Sequence, residues 1–347
     1  MMCLAAFNKI FGLSLTYLRN KVPKKWHNSI QKLAEEPLPE LRPQDRYSIP
    51  DWLWQKINAQ YGLDKGSKLA QALLSKASFD LRVNQVHTSR KRVLAELASE
   101  GIEATATSLS PIGIRVKENF GIQKHRLFLE GHIEVQDEGS QILAQLVDAK
   151  RGHMVVDFCA GAGGKTLALG AMMGNQGRVY AYDVSAKRLA RLKPRLKRSG
   201  LSNVQTQLIG SEKDPRIQRL AGKIDRVLID APCTGLGTLR RNPDMKWRQA
   251  EADISTLTDK QLRILNAAST LVKKDGLLVY GTCSILRDEN EAVIERFMNE
   301  RSGKFELIDA AKSLGIEGIE SQNTPYLKLL PNTHGCDGFF AATLKAI

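Results

Sequence analysis

Two cysteines stand at the ends of apolar runs that read as strands. Cys233 follows Ile229-Asp230-Ala231-Pro232, and Cys283 lies in Gly281-Thr282-Cys283-Ser284. A thiolate is a strong, soft nucleophile, and a carboxyl group such as Asp230 beside it can supply a proton. Paired thiols suit attack on an electron-poor ring carbon. Alone, either cysteine reads as a small buried apolar residue; together, each at a strand mouth, they read as chemistry. The Ile-Asp ending also imitates a Walker B aspartate, but two thiols have no use in a phosphate-hydrolysing site.

The second concentration of chemistry is Asp157-Phe158-Cys159-Ala160-Gly161-Ala162-Gly163-Gly164-Lys165-Thr166. A glycine-rich turn between a strand and a helix lets backbone N–H groups approach a ligand at the positive end of the helix. A Walker A loop needs glycine where this chain has Cys159, and a dinucleotide fingerprint starting at Gly161 needs glycine where it has Thr166. What remains is a looser turn suited to an uncharged or cationic ligand such as S-adenosylmethionine. About 20 residues on, Asp183 ends the next apolar run, where it could accept from two ribose hydroxyls or cap the helix that starts at Ser185.

These residues need strands and helices to hold them. After residue 150, apolar runs at 153–158, 178–183, 203–209, 224–230, 276–283 and 338–344 alternate with helical segments, which predicts a mostly parallel sheet covered on both faces. In such sheets ligands bind at the carboxyl ends of the strands. Before it, runs at 81–84 and 104–116 flank a charged helix near 88–100, a small α+β unit ending near Gly139. The first 75 residues read as short helices broken by Pro37, Pro39, Pro43 and Pro50: one over 4–18, one from Asp51 and one over 65–74. Pro194 should kink or end the basic helix after Ser185.

In order and spacing, DFCAGAGGKT, YAYDVSAKRL, VLIDAPCTGLGTLRRNPDMKW, VYGTCSILRDENEAVIERF and HGCDGFFAATL resemble the RsmB/Nop2/Sun family of RNA (cytosine-5) methyltransferases. The resemblance covers about 79–347, since LRVN at 81–84 and EVQDEGSQ at 134–141 are similar to the family's RNA-recognition segment. It implies a Rossmann-like class I S-adenosylmethionine-dependent fold with a seven-stranded, mostly parallel sheet. The implied division is an N-terminal helical extension (1–75), a small α+β RNA-recognition domain (76–145) and a catalytic domain (146–347).

Residue by residue, the resemblance makes Cys283 the nucleophile toward C6 of the target cytosine. Asp230 becomes the acid or hydrogen-bond partner at N3, and Cys233 the group that removes the C5 proton or expels Cys283. Lys165 lies near the same pocket. The cofactor would rest on Cys159, Ala160, Gly161, Ala162, Gly163, Gly164 and Lys165, with Asp183 on the ribose and Asp230 beside it. The chain departs from the family after strand three, where Leu208-Ile209-Gly210-Ser211-Glu212 lacks the usual acidic residue near adenine, so weaker cofactor binding is expected. Ala162 replaces a frequent proline. A target base inside a duplex is out of reach, so the cytosine must be unpaired or flipped out. The family's substrates are ribosomal and transfer RNA, and the expectation here is ribosomal RNA. A non-catalytic RNA-binding relative is opposed by the intact set Lys165, Asp230, Cys233 and Cys283.

Charge agrees with a polyanionic partner: 51 Lys plus Arg against 37 Asp plus Glu give +14 and a pI near 9.6. The excess lies in 1–75 and 151–347, whereas 76–150 holds 10 residues of each sign. Arg240, Arg241, Lys246, Trp247 and Arg248 follow the Cys233 loop closely enough to meet phosphates or a base. Lys187, Arg188, Arg191, Lys193, Arg195, Lys197 and Arg198 read instead as the solvated face of a helix whose stripe is Leu189, Leu192 and Leu196. Five cysteines without any C-x-x-C pair argue against a disulfide framework or a four-cysteine zinc site and for a reducing compartment. No apolar run reaches membrane-spanning length, and Lys9 interrupts the apolar start, which is expected to be an amphipathic helix and not a signal peptide. The expectations are a cytoplasmic monomer with no metal and no membrane partner.

Overall fold

The computed structural model describes residues 14–35, 41–316, 319 and 324–347. The apolar start and most of the helix expected from residue 4 lie outside them; Leu15–Arg19 is helical. The chain divides into two compact units, Met1–Ala59 and Gln60–Ile347. No helix among the described residues is long and apolar enough to cross a membrane.

In the first unit, the Leu15–Arg19 helix is joined to α1 (His27–Glu35) by the Arg19 guanidinium, which donates to Gln31 at 2.8 Å. Helix α1 was not legible in the sequence. Pro43 opens a one-turn helix, where its missing N–H costs nothing. Helix α2 (Asp51–Leu74) is broken at Gly62, whose φ of 73° no helix accommodates, so two helical runs exist as expected.

The small sheet comprises β1 (Phe79–Val83), β2 (Ala104–Ala106), β3 (Gly113–Val116) and β4 (Ile133–Val135), all antiparallel in the order β2-β3-β1-β4. Along β1 the side chains alternate. Leu81 and Val83 pack with Ile114, Val116 and Ile133 onto Val93 and Leu97 of α3 (Arg90–Ser99). Asp80 and Arg82 point the other way and are also buried. The 104–116 run is therefore a hairpin, not one strand.

The large sheet runs β10-β12-β9-β8-β5-β6-β7, with β11 added beside β12. Its strands are β5 (Met154–Asp157), β6 (Arg178–Asp183), β7 (Val204–Leu208), β8 (Ile224–Asp230), β9 (Val272–Thr282), β10 (Phe305–Ile308), β11 (Leu327–Leu329) and β12 (Phe339–Ala346). The pairs from β9 through β7 are parallel, and β12 is antiparallel to its neighbours. Seven strands form the path, as expected; β10 and β11 are short runs the sequence did not single out.

Alternation divides the core. Val156, Val227, Ile229, Leu278 and Tyr280 face α7 (Asp253–Ser269) and α8 (Glu291–Glu300), which contribute Leu265, Ile294 and Phe297. Val155, Leu228 and Val279 face Ile142 and Leu143 of α4 (Glu138–Gln145) and Leu169 of α5 (Gly164–Met172). Helix α4 thus follows the small sheet in sequence yet packs in the core of the large one. Helix α6 (Ala186–Ser199) runs through Pro194 and ends on left-handed Gly200. Its buried Leu189 and Leu192 hold it in place, so proline does not end it. Strand order reverses between β5, which leads on to β6 and β7, and β8 on its other side. That switch point is where a ligand crevice forms.

Candidate active site

The glycine-rich loop connects β5 to α5 at the switch point. Gly161 and Gly163 have φ of 57° and 84°, conformations that favour glycine. At Gly163 a side chain is excluded twice, because a Cβ there would lie 2.1 Å from Leu192 of α6. The loop is held from outside. Arg195 on α6 donates to the Ala162 carbonyl at 2.6 Å, and Arg82 on β1 donates to the Gly164 carbonyl at 2.6 Å. Asp183 accepts the Gly161 N–H at 2.8 Å and the Ser185 N–H at 2.7 Å, while Ser185 itself caps α6. Asp183 therefore both shapes the loop and ends β6.

Lys165, in the first turn of α5, reaches across to β8 and donates to Asp230 at 2.8 Å. Burial pushes its ammonium down, but the charge and hydrogen bond of Asp230, with smaller contributions from Cys283 and Asp157, carry it above the usual lysine value. Its Nζ also lies 5.4 Å from the centre of the Phe339 ring. Asp157 is buried; its Oδ2 accepts from Thr166 at 2.6 Å and its Oδ1 has no partner. Burial first, then the charge of Asp230 and Asp183, pushes it up to about 7 against the opposing pull of Thr166 and Lys165.

Cys233 and Cys283 meet with their Sγ atoms 3.5 Å apart. Adjacent parallel strands deliver them, since Asp230 pairs with Gly281 in register. The hydrogen bond from Cys283 and then burial raise the Cys233 thiol well above its ordinary value. Burial likewise raises Cys159. Gly237 accepts no side chain, because a Cβ there would lie 2.2 Å from the Gly338 carbonyl. Its N–H donates to the Cys283 carbonyl at 2.8 Å, and its own carbonyl accepts from Gly338 at 2.9 Å. One backbone chain of bonds thus ties both cysteine loops to the start of β12.

The sequence reading missed the group that joins the two loops. Glu289, fully buried, accepts from the Thr234 N–H and Gln261 Nε2 at 2.8 and 3.0 Å on Oε1, and from the Thr234 and Ser284 hydroxyls at 2.5 Å each on Oε2. Thr234 follows Cys233 and Ser284 follows Cys283. From the outside, Gln60 and Tyr61 donate to the Ile285 carbonyl at 3.1 and 2.9 Å. The signal for Glu289 was a carboxylate six residues beyond Cys283 at the entry to an apolar helix.

The basic residues after Cys233 differ from expectation. Arg240 is paired with buried Asp337 at 3.0 Å, and Arg241 joins Asp337 and Asp137. These guanidiniums lock the Cys233 loop to the start of β12 and to α4; Arg240 is withdrawn from solvent by its pairing, whereas Arg241 keeps about 34% of its side chain exposed. Lys246 is buried, and burial lowers its ammonium. Trp247 and Arg248 remain exposed, Arg248 beside Asp244 at 2.7 Å. On α6, Arg195 and Arg198 are also not solvated, because both pair with Glu134 of β4 and Arg198 lies 4.0 Å over Phe128. After β7, Glu212 pairs with Arg263 at 3.2 Å. Asp214 takes the Gly210 N–H just beyond the strand at 2.8 Å and is held well below the usual carboxylate range by Arg216.

The strand ends therefore gather Asp157 and Asp230 about one ammonium, with Asp183 close enough to act on Asp157, and that ammonium is already paired. Lys165 is thus not free to receive a triphosphate, whereas a sulfonium finds carboxylates. Backbone N–H groups, Asp183 and a loop with no room for side chains at Gly163 fit an adenosyl ligand that carries positive charge.

Comparison with known proteins identifies the family and its cofactor class. Residues 144–345 match the family model "16S rRNA methyltransferase RsmB/F", and residues 49–123 match the ferredoxin-like domain found in RsmF/B-like methyltransferases. The chain is 38% identical over 306 residues to a probable ribosomal RNA small subunit methyltransferase B of Synechocystis, covering 87% of this chain and 67% of that protein. A counterpart in Bacillus subtilis is 32% identical, with 86% and 66% covered. The chain thus spans about two thirds of the length of these relatives. Among solved structures, a methyltransferase homolog from Pyrococcus horikoshii superposes with a TM-score of 0.75 at 28% identity, covering 88% of this chain and 98% of that one. NSun6 from the same organism, solved with SFG, shares the fold at a TM-score of 0.75 and 19% identity, with 85% and 98% covered. With its motifs at the mouths of a class I sheet and a ferredoxin-like domain before it, this chain belongs to the RsmB/F family of S-adenosylmethionine-dependent methyltransferases.

Proposed function

We propose that the chain methylates C5 of a cytosine in small-subunit ribosomal RNA through a covalent bond between Cys283 and C6. The observation that carries this reading is the meeting of two thiols, 3.5 Å apart, beside the Lys165–Asp230 pair. A cytosine ring resists addition until charge is drawn through N3. Lys165 fixes Oδ2 of Asp230, leaving Oδ1 for the base. The Cys283 Sγ–C6 bond forms as the thiol proton passes by way of Asp230 to N3, which leaves C5 electron-rich. S-adenosylmethionine, when bound, supplies the electrophilic methyl that C5 takes.

The acidity of Cys233 gives the steps an order. Its thiol is held protonated chiefly by Cys283. Once Cys283 is a thioether, that hydrogen bond and charge are gone, and Cys233 loses its proton to solvent more easily. The thiolate then takes the C5 proton, the C5–C6 double bond reforms, Cys283 leaves and N3 returns its proton. Asp183 is assigned to the ribose and the loop from Cys159 to Lys165 to the cofactor. Of the three segments 1–75, 76–145 and 146–347, the middle one is assigned to RNA positioning.

The names of the relatives, ribosomal RNA small subunit methyltransferase B, favour ribosomal over transfer RNA. Methyl transfer to protein-free small-subunit ribosomal RNA, mapped by bisulfite sequencing, tests the reading. A protected cytosine that appears only with enzyme and cofactor is expected. Methylation at a ribose or another ring position, or transfer only to transfer RNA, contradicts it.

A further inference from the structure

Helix α6 carries seven basic residues and no acidic one. Two are used internally, Arg195 and Arg198 on Glu134. The other five, Lys187, Arg188, Arg191, Lys193 and Lys197, are exposed, and among the described residues none has a carboxylate within ion-pair distance or a side-chain hydrogen bond. This face opposes folding. Lys187 and Arg188 sit in the first turn, where the helix dipole disfavours cations. Lys187 with Arg191 and Lys193 with Lys197 are like charges four residues apart, which repel. A face that is merely solvated gains nothing from repulsions that a single Glu would relieve.

Other side chains of α6 are committed to the cofactor loop, with Leu192 under Gly163 and Arg195 on the Ala162 carbonyl. Because α6 itself packs on that loop, its exposed cations are placed beside the site and suit phosphates that flank the reacting base. From Lys187 to Lys197 they extend about 15 Å, over which one strand of a duplex passes roughly four phosphates. We propose that the exposed face of α6 is a docking surface for the phosphate backbone of the substrate RNA at a site flanking the target cytosine. This rests on the reading of the chain as an RNA methyltransferase and names where that RNA is held.

The test compares the full chain with a variant carrying Lys187→Gln, Arg188→Gln, Arg191→Gln, Lys193→Gln and Lys197→Gln. Binding to protein-free small-subunit ribosomal RNA is followed between about 50 and 200 mM salt. Each lost phosphate contact removes about 0.7–0.9 from the slope of log K against log salt. A slope shallower by roughly 3 and at least tenfold weaker binding are expected. S-adenosylmethionine affinity should stay unchanged, and the melting temperature should be equal or higher because repulsions are gone. The single change Arg191→Gln, expected to remove about one contact, guards against a global effect. Equal slopes and affinities for the parent and both variants would overturn the surface. So would loss of binding to vesicles containing anionic phospholipid with RNA binding intact. Methyl transfer by the parent chain is scored separately: an α6-dependent RNA slope without transfer upholds the surface and removes the catalytic reading.

Discussion

At the scale of residues, the site is a set of charges and thiols whose properties are set by neighbours. Glu289 is the clearest case: one buried carboxylate receives the Thr234 N–H and the Thr234 and Ser284 hydroxyls from the segments that carry the two cysteines, and the Gln261 amide from α7. Glu289→Ala leaves the Thr234 N–H without its acceptor, at a cost of about 1–3 kcal/mol, takes the carboxylate from the two hydroxyls, and frees the loops to separate. We expect kcat to fall at least a hundredfold while S-adenosylmethionine titration gives the parent affinity. Glu289→Gln should retain much of the activity, because the Thr234 and Ser284 hydroxyls can rotate to accept from its amide. Equal activity in Glu289→Ala and the parent contradicts the positioning role. Asp157 makes a prediction in pH. Its carboxyl rises to about 7 in the fold from an ordinary 3.8, so the folded state holds a proton that the unfolded chain has already released. Stability from this group is therefore complete below about pH 4 and falls as pH rises to 7, at up to about 1.4 kcal/mol per unit. Asp157→Asn should melt like the parent at pH 4 and several degrees higher at pH 8; identical melting curves at both pH values refute the assignment.

At the scale of elements, the strand-loop-helix unit around Gly163 is the most constrained. Gly163→Ala must place a Cβ at positive φ and 2.1 Å from Leu192. A cost of about 1–3 kcal/mol is expected from the backbone alone, together with at least tenfold weaker binding of S-adenosylmethionine. Thermal denaturation and calorimetric titration check both; unchanged values contradict the geometry. This unit was legible because its glycines, its Lys165 and the following Asp183 carry local signals. Strands β5 and β6 and the apolar stretches of β8 and β9 were legible for the same reason, as β-branched and apolar runs between helical segments. Elements whose signal is tertiary were not. Strand β4 and strand β11 have three residues each and exist through their partners. Strand β10 is an antiparallel addition to β12. Helix α6 ignores Pro194 because packing outweighs one lost backbone bond. Glu289 and the Arg240–Asp337 pair join positions far apart in sequence, so spacing along the chain could not reveal them.

At the scale of the molecule, the charge distribution becomes interpretable. The balanced middle, 76–150, carries buried Asp80, Arg82, Glu134 and Glu138. These are spent on Arg115, the glycine loop and the cations of α6, so they fasten the small sheet to the catalytic sheet and leave little net field. The excess of 151–347 falls on surfaces such as the outer face of α6, while Arg240, which spacing alone assigned to RNA, is enclosed in its pair with Asp337. The covalent step is open to direct test. Parent chain, Cys283→Ala and Cys233→Ala are incubated with small-subunit ribosomal RNA and S-adenosylmethionine, then resolved under denaturing conditions. The account predicts methylated RNA from the parent, neither product nor adduct from Cys283→Ala, and a protein–RNA adduct that persists under denaturation from Cys233→Ala. Methylated RNA from Cys283→Ala at the parent's rate would contradict it.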